Sequence, residues 1–361
     1  MGKVERALLD ILKECGGEVY QSELVKISGF SRSRVSEVLS EMTGSGLVSK
    51  YPIGIGKNVN VVLKAGFKRR KKNGSTRTRK LKRILRLGFT RAAEYPFVIP
   101  FRRLVKNKLD LDLEFRIYNN GIDVTRDLSL LRLDLGISPI LTQFMFHSLG
   151  SPLMILAPAG SGGSSLLLSS KKGLRARYSD RKTEFRIASS KLSTMELLMR
   201  SSVKEDLIPK SSAIVYTSSP DEIMEDMLSG SVNAACLWEP YATVLLEKKK
   251  TEFSRLMRYS DMGEHLCCTL AAGKHLGGPL LDKVRRIFLE SIGQYVRGRN
   301  TFTAPYARLT GFDQKVLGQV SGEYSFPMGL DFKMICHQFE RAGITVPDPS
   351  SSLRDVLGVP D

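Results

Sequence analysis

The chain has 361 residues, 42% of them hydrophobic, with 55 Lys/Arg against 37 Asp/Glu and a formal net charge of +18. That length fits two or three domains rather than one, and the apolar content excludes wholesale disorder. The charge is uneven: residues 1–83 carry 19 Lys/Arg against 7 Asp/Glu, so +12 of the +18 sits in under a quarter of the chain. Such asymmetry is expected of a nucleic-acid-binding module joined to a near-neutral domain. Glu5, Asp10, Lys13 and Glu14 interrupt any signal-like run at the N-terminus, and no stretch of about 18 apolar residues occurs. A cytoplasmic location without membrane contact is therefore expected. The five cysteines (Cys15, Cys236, Cys267, Cys268, Cys336) include no CxxC pair and read as reduced thiols rather than a disulfide framework or a zinc site.

Helical spacing of Val4, Ala7, Leu8, Ile11, Leu12 and Cys15 predicts a first helix that ends at Gly16-Gly17. Ser22 is a candidate N-cap for a second helix running to Gly29, and Ser31 for a third. The third carries an apolar stripe of Val35, Val38, Leu39 and Met42. Burying that stripe turns Ser31, Arg32, Ser33, Arg34, Ser36 and Glu37 outward along the first two turns. A recognition helix needs this arrangement, because Arg reaches guanine in a bidentate way and Ser contacts base or phosphate. Two β-type runs follow, Leu47–Tyr51 and Asn58–Leu63, around a glycine-bearing tip that ends in Lys57. Lys57 and Asn58 are placed to meet phosphate or the minor groove.

Residues 3–64 thus resemble a MarR- or Lrp-type winged helix-turn-helix, carried by "SELVKISGFSRSRVSEVLSEMTGSGLVSK" and the wing after it. The resemblance implies double-stranded DNA as partner; the competing reading is a winged helix used for protein contacts. We take 1–66 as this domain and 67–83 as a basic linker. The linker, "FKRRKKNGSTRTRKLKR", holds no acid and is able to add phosphate contacts.

From Ile84 strands and helices alternate. The reading is strand 84–89, helix 96–106, strand 111–117, a helix around 124–132, a short strand "LDLGIS", a helix from Ile140 and strand "PLMILAP". A second series runs through "FRIAS", helix 194–203, "AIVYTS", helix 221–228, "VNAACLW" and a helix from Glu239. Strands "LMRYS" and "CCTLAA" lead into mainly helical sequence from Leu280 to Ala342. Two such series predict an α/β fold of two lobes with a cleft between them. The sensor is assigned to 84–345 and a Pro/Ser-rich tail to 346–361.

Several phrases in order, "KRILRLGFTRAAEYPFVIPF", "LLRLDLGISP", "APAGSGGSSLLLS", "RIASSKLSTMELL" and above all "EIMEDMLSGSVNAACLWEPYATVL", resemble type 2 periplasmic binding proteins. The nitrate/sulfonate/taurine group and the related thiamine-pyrimidine synthases are the most similar. The resemblance implies ligand contacts from Thr90, Arg91, Tyr95, Ser138, Gly162, Gly163, Ser193, Thr194, Trp238 and Glu239. Ser193-Thr194 opens a helix just after a strand, where free N–H groups suit an anion. Arg91 either pairs with that anion or is solvated, and Trp238, the only tryptophan, is either a cleft wall or a packing residue. Cys267-Cys268 invites comparison with the synthases, but its apolar setting favours two core cysteines. "GSGGSS" at 160–165 lacks the Lys of a phosphate loop and reads as a crossover loop. The expected whole is a winged-helix regulator joined to a small-molecule sensor, in the architectural manner of LysR-type regulators. It is expected to work as a homodimer, with an anionic or heterocyclic effector, no catalytic residues, no cofactor and no metal. The alternatives are a synthase-type enzyme or a ligand-independent DNA-binding protein.

Overall fold

The computed structural model describes residues 2–14, 18–52, 59–63, 84–169 and 184–345. The chain divides at Lys82/Arg83 into two units, and each is taken by itself.

In the first unit the apolar periodicity becomes three helices, α1 (Lys3–Glu14), α2 (Gln21–Ser28) and α3 (Arg32–Gly44), with strands β1 (Glu18–Tyr20), β2 (Val48–Pro52) and β3 (Val59–Leu63). The strands form an antiparallel sheet in the order β1-β3-β2. α2 starts one residue earlier than expected, so Ser22 lies within its first turn; β1 is too short to show a sequence period. Leu8, Leu12, Leu24, Val35, Val38, Leu39, Met42, Val48 and Val61 share one core. Each such burial contributes about 1.5–3 kcal/mol. The Ser31 hydroxyl caps α3 by accepting from Arg34 N at 3.3 Å, satisfying a donor the helix leaves open. With the stripe inward, Ser31, Arg32, Ser33 and Arg34 are exposed and Ser36 is half-buried. Lys50 ties β2 to α3 through Ser40 Oγ (2.9 Å) and Ser36 O (3.4 Å). Lys57, Asn58, Cys15 and the basic linker lie outside the described residues.

The second unit holds two sheets. In the first lobe β4 (Ile84–Thr90), β5 (Asp112–Tyr118) and β6 (Leu135–Pro139) are parallel, with α4 (Val98–Leu109) and α5 (Gly121–Ser129) as the crossovers; α6 (Ile140–Ser148) follows β6. β7 (Leu153–Gly162), β13 (Cys268–Gly273) and the short β14 (Tyr324–Ser325) complete a sheet of order β14-β7-β13-β6-β4-β5. The second lobe has β8 (Ser164–Ser169), β9 (Arg186–Ser190), β10 (Ala213–Thr217), β11 (Ala234–Trp238) and β12 (Phe253–Arg258), in the order β10-β9-β11-β8-β12. Its helices are α7 (Thr194–Lys204), α8 (Pro220–Ser229) and α9 (Tyr241–Lys248). The C-terminal helices are α10 (Gly278–Arg297), α11 (Arg299–Thr310), α12 (Gln314–Val320) and α13 (Phe332–Arg341). The helix expected from Glu239 begins at Tyr241, one turn of chain after the strand ends.

The chain crosses between lobes twice, side by side. The first crossing is Gly162-Gly163, between β7 and β8, so "GSGGSS" is two strand ends meeting at a bend rather than a loop. Both glycines have positive φ, +96° and +68°. A Cβ at Gly162 would stand 2.2 Å from Glu323 O, and one at Gly163 2.2 Å from the Tyr324 ring. The second crossing, between β12 and β13, is stitched to the first. Gly162 N donates to His265 Nε2 (3.3 Å), Cys267 N donates to Gly160 O (3.1 Å), and the Ser161 hydroxyl donates to His265 O.

Gly163→Ala should therefore destabilise the protein by at least about 2 kcal/mol, from positive φ and overpacking together. Gly318→Ala, inside α12 with open space around it, should leave stability unchanged or raise it by up to about 1 kcal/mol. Urea unfolding of the two variants reads the difference, and equal midpoints would contradict this account of the crossing.

Candidate functional site

The strands of both lobes deliver their carboxyl ends to one cavity, as open α/β sheets do. With the lobes closed it leaves about 40 Å³ for a guest and is lined by Thr90, Glu94, Tyr95, Asn120, Ser164, Ser190, Ser193, Thr194, Trp238, Cys267, Cys268 and Tyr324, among others. That is smaller than an ordinary small-molecule site, so a ligand of that class enters only as the lobes part. Hydrogen bonds bridge the lobes around it: Asn120 Nδ2 donates to Ser218 O (3.0 Å), Trp238 Nε1 to Arg91 O (3.1 Å) and Thr194 Oγ1 to Cys267 Sγ (3.2 Å). The Thr142 hydroxyl also donates to Leu192 O. The lobes are thus closed on each other. A wider groove beside α13, bordered by exposed Asp331, Lys333 and Glu340, is more open to solvent and gathers no buried acid or thiol.

Of the ligand contacts expected from the sequence, Thr90, Tyr95, Gly162, Ser193, Thr194 and Trp238 line the cavity. Four do not. The Arg91 guanidinium donates from Nε to Thr310 O (2.9 Å) and lies 4.6 Å from the Phe312 ring centroid. Ser138 is spent inside the first lobe on Thr125 (2.8 Å) and Gln143 (3.0 Å). Gly163 packs under Tyr324. Glu239 is buried in an ion pair with Arg255 (2.6 Å) and accepts from Thr243 N (3.0 Å). Its backbone meanwhile joins the lobes, with Ala93 N donating to Glu239 O at 3.0 Å.

The start of α7 also differs from the expected anion cradle. The Ser193 hydroxyl donates to Ser190 O (2.6 Å) and accepts from Met195 N (3.1 Å) and Glu196 N (3.3 Å), so the protein uses these first-turn donors itself. Glu196 sits in that turn and accepts from Leu192 N at 2.6 Å. A carboxylate there already offsets the positive end of the helix.

Glu94 is the site residue that sequence reasoning missed. It is 3% exposed, and its Oε1 has no hydrogen-bond partner. Gly160 leaves room for it: a Cβ there would stand 2.4 Å from Glu94 Oε1. Burial pushes its carboxyl up to about 7, against partial relief from Tyr95, Cys268 and Cys267. The available signal was a lone acid in the apolar run "AAEYPF".

Beside it, Cys267 and Cys268 do face the cavity, although both are buried as core cysteines would be. Their sulfurs are 3.2 Å apart, and Tyr95 Oη donates to Cys268 Sγ at 3.0 Å. Burial raises the Cys268 thiol well above its ordinary range. One carboxylate oxygen and two sulfurs lie within 4.8 Å of one another. The trio is a buried donor set of a kind able to hold a metal ion, and without one burial favours the protonated forms of Glu94 and Cys268. His265, the other residue with possible chemistry, is spent on the crossing. Its Nε2 accepts from Gly162, its Nδ1 faces Gly263 O at 3.3 Å, and burial lowers it to about 4.

The Glu94 carboxyl is protonated in the folded protein where an unfolded chain has already ionised. The stability it contributes is full below about pH 4.5 and lost as pH rises through about 7, to the extent of about 3 kcal/mol. Glu94→Gln should remove that loss, so the variant should gain on wild type between pH 5 and pH 8 in thermal or urea unfolding. Parallel pH profiles would show that the carboxyl is not desolvated.

The comparisons with known proteins follow this geometry. Residues 80–273 match the model of the NMT1-like family, and residues 3–62 match a domain of unknown function (DUF7343). The sequence matches no curated protein. Among solved structures, the fold is similar to the ligand-binding component of an ABC-type import system from Staphylococcus aureus with zinc bound. That match has a TM-score of 0.64 and 15% identity over 76% of this chain and 99% of the other. The alkanesulfonate-binding protein of Xanthomonas axonopodis pv. citri bound to MOPS gives 0.60 and 19%, over 74% and 95%. The periplasmic nitrate-binding protein of Synechocystis PCC 6803 gives 0.60 and 12%, over 77% and 86%. At these identities the structures share a fold with this chain, the two-lobed type 2 periplasmic-binding-protein architecture. By the match over 80–273, more than half its length, the chain belongs to the NMT1-like family.

Proposed function

We propose that this protein is a ligand-responsive transcriptional regulator: a winged helix at residues 3–63 binds operator DNA, and the closed cavity of the second unit binds a small effector. The observation that carries the DNA-binding half is α3. Its apolar stripe is buried while Ser31, Arg32, Ser33 and Arg34 stand exposed along its first turn. Together with the +12 charge of residues 1–83, that presents donors suited to base edges and phosphates. The three-stranded sheet packed beside α3 supplies the base of a wing. Arg34 also pairs with Glu37 at 2.7 Å, both side chains more than half exposed. That pair contributes little to stability and is readily exchanged for a guanine or a phosphate.

The sensing half is supported by the cavity and by fold relatives named for binding alkanesulfonate and nitrate. The regulator acts in the cytoplasm, as a homodimer and without catalysis. Effector binding biases lobe closure and so the presentation of the DNA-binding unit. A coupling of about 1–3 kcal/mol changes operator affinity roughly 5- to 150-fold.

Arg32→Ala with Arg34→Ala should cost about 1–3 kcal/mol per lost base contact and flatten discrimination between operator and random duplex. Selection of bound DNA fragments followed by competition binding reads this. Unchanged discrimination in the double variant would remove α3 from the recognition role. A compound that saturably changes Trp238 emission should also shift operator affinity; no shift would leave a binding protein without a regulatory coupling.

A further inference from the structure

The cavity is lined by hydroxyls, thiols, aromatic rings and one carboxyl, and no Lys, Arg or His is among its lining residues. The titratable groups that feel Glu94 are Tyr95, Cys267, Cys268, Tyr306 and Tyr324, none of which can be positive. Elsewhere in the second unit buried acids have cations. Asp134 is held by Arg86 in a two-point contact of 3.0 Å each, and Glu239 by Arg255 at 2.6 Å. Glu94 has none. Three buried polar atoms on this one wall set, Glu94 Oε1, Thr90 Oγ1 and Ser164 Oγ, also have no hydrogen-bond partner. Buried polar groups are nearly always paired, and those that are not point to a missing partner.

The features that would favour an anion are committed to other work. Arg91 is turned to Thr310 and Phe312, and the first-turn donors of α7 are taken by Ser193. A sulfonate or nitrate placed here finds no positive charge and keeps Glu94 from ionising, whereas a cation beside it draws the proton off and pairs with the carboxylate, avoiding an unpaired buried charge.

We infer that the cavity takes a small organic cation, an amine or amidine, whose N–H groups bond Glu94 Oε1 and the hydroxyls of Thr90 and Ser164, with its body between Trp238 and Tyr324. The inference rests on the proposal that this cavity binds a small effector, and it assigns that effector the opposite charge from the alkanesulfonate and nitrate named for two of the fold relatives. Occupancy supplies Glu94 with the counter-charge that Arg86 and Arg255 supply to Asp134 and Glu239. It also satisfies the three orphaned atoms at once. The flanking rings suit a flat cation, whose charge is drawn to an aromatic face.

Two isosteric pairs of opposite charge test this on the full chain: guanidinium against nitrate, and benzamidinium against benzenesulfonate. Trp238 emission and the thermal unfolding midpoint are followed in millimolar titrations of wild type and Glu94→Gln. The variant keeps the shape of the side chain and removes its charge. The expected result is saturable binding of a cation, no binding of its anionic partner, and at least about tenfold weaker cation binding in the variant, the worth of one charged hydrogen bond. Preference for the anions, or cation binding that Glu94→Gln leaves unchanged, would overturn the inference while leaving a small-ligand sensor in place. Failure of both members of both pairs would count against the sensor reading itself and take this inference with it.

Discussion

The meeting of two chain crossings at Gly162-Gly163 is the constraint on which the second unit depends. Two side-chain-free residues let the backbone pass within contact distance of Glu323 and Tyr324. That passage lets β7 end one sheet and β8 begin the other without a gap. Because the return crossing is bonded to the first through His265 and Cys267, both lobes turn about one short segment. Interiors are close-packed and change between discrete arrangements rather than deforming smoothly.

The cavity lies directly beside that joint, and the same residues serve both. Gly160 leaves space for Glu94, Gly162 lines the cavity, and Cys267 hydrogen-bonds across to Thr194 in the other lobe. Ligand contacts and closure contacts are consequently interleaved: Trp238 is both a wall and a tie to Arg91.

Charge divides the labour between the units. The first carries most of the excess positive charge of the sequence. The second buries its acids with partnered arginines, except at one cavity. The long-range field thus belongs to one part of the chain and the short-range selectivity to the other.

The sequence by itself determined most of the order of helices and strands, though not the strands β1, β8 and β14, together with the two-lobed α/β class and the composition of the α3 faces. Each rests on local periodicity, which a helix or strand expresses wherever it packs. Its resemblance to periplasmic binding proteins also marked Thr90, Tyr95, Gly162, Ser193, Thr194 and Trp238, which line the cavity. Tertiary structure alone decided the rest. Whether Arg91 faces a ligand depended on Thr310 and Phe312, more than two hundred residues on. Whether Ser193 serves a ligand or its own helix depended on a rotamer, and Glu239 found Arg255 only once β11 and β12 had both paired with β8. Glu94 looked like one acid among 37. Only the fold, by burying it beside Gly160 and bringing no cation to it, made it the most chemically distinctive residue of the cavity, since desolvation and the absence of a partner are properties of three-dimensional surroundings and leave no spacing to read.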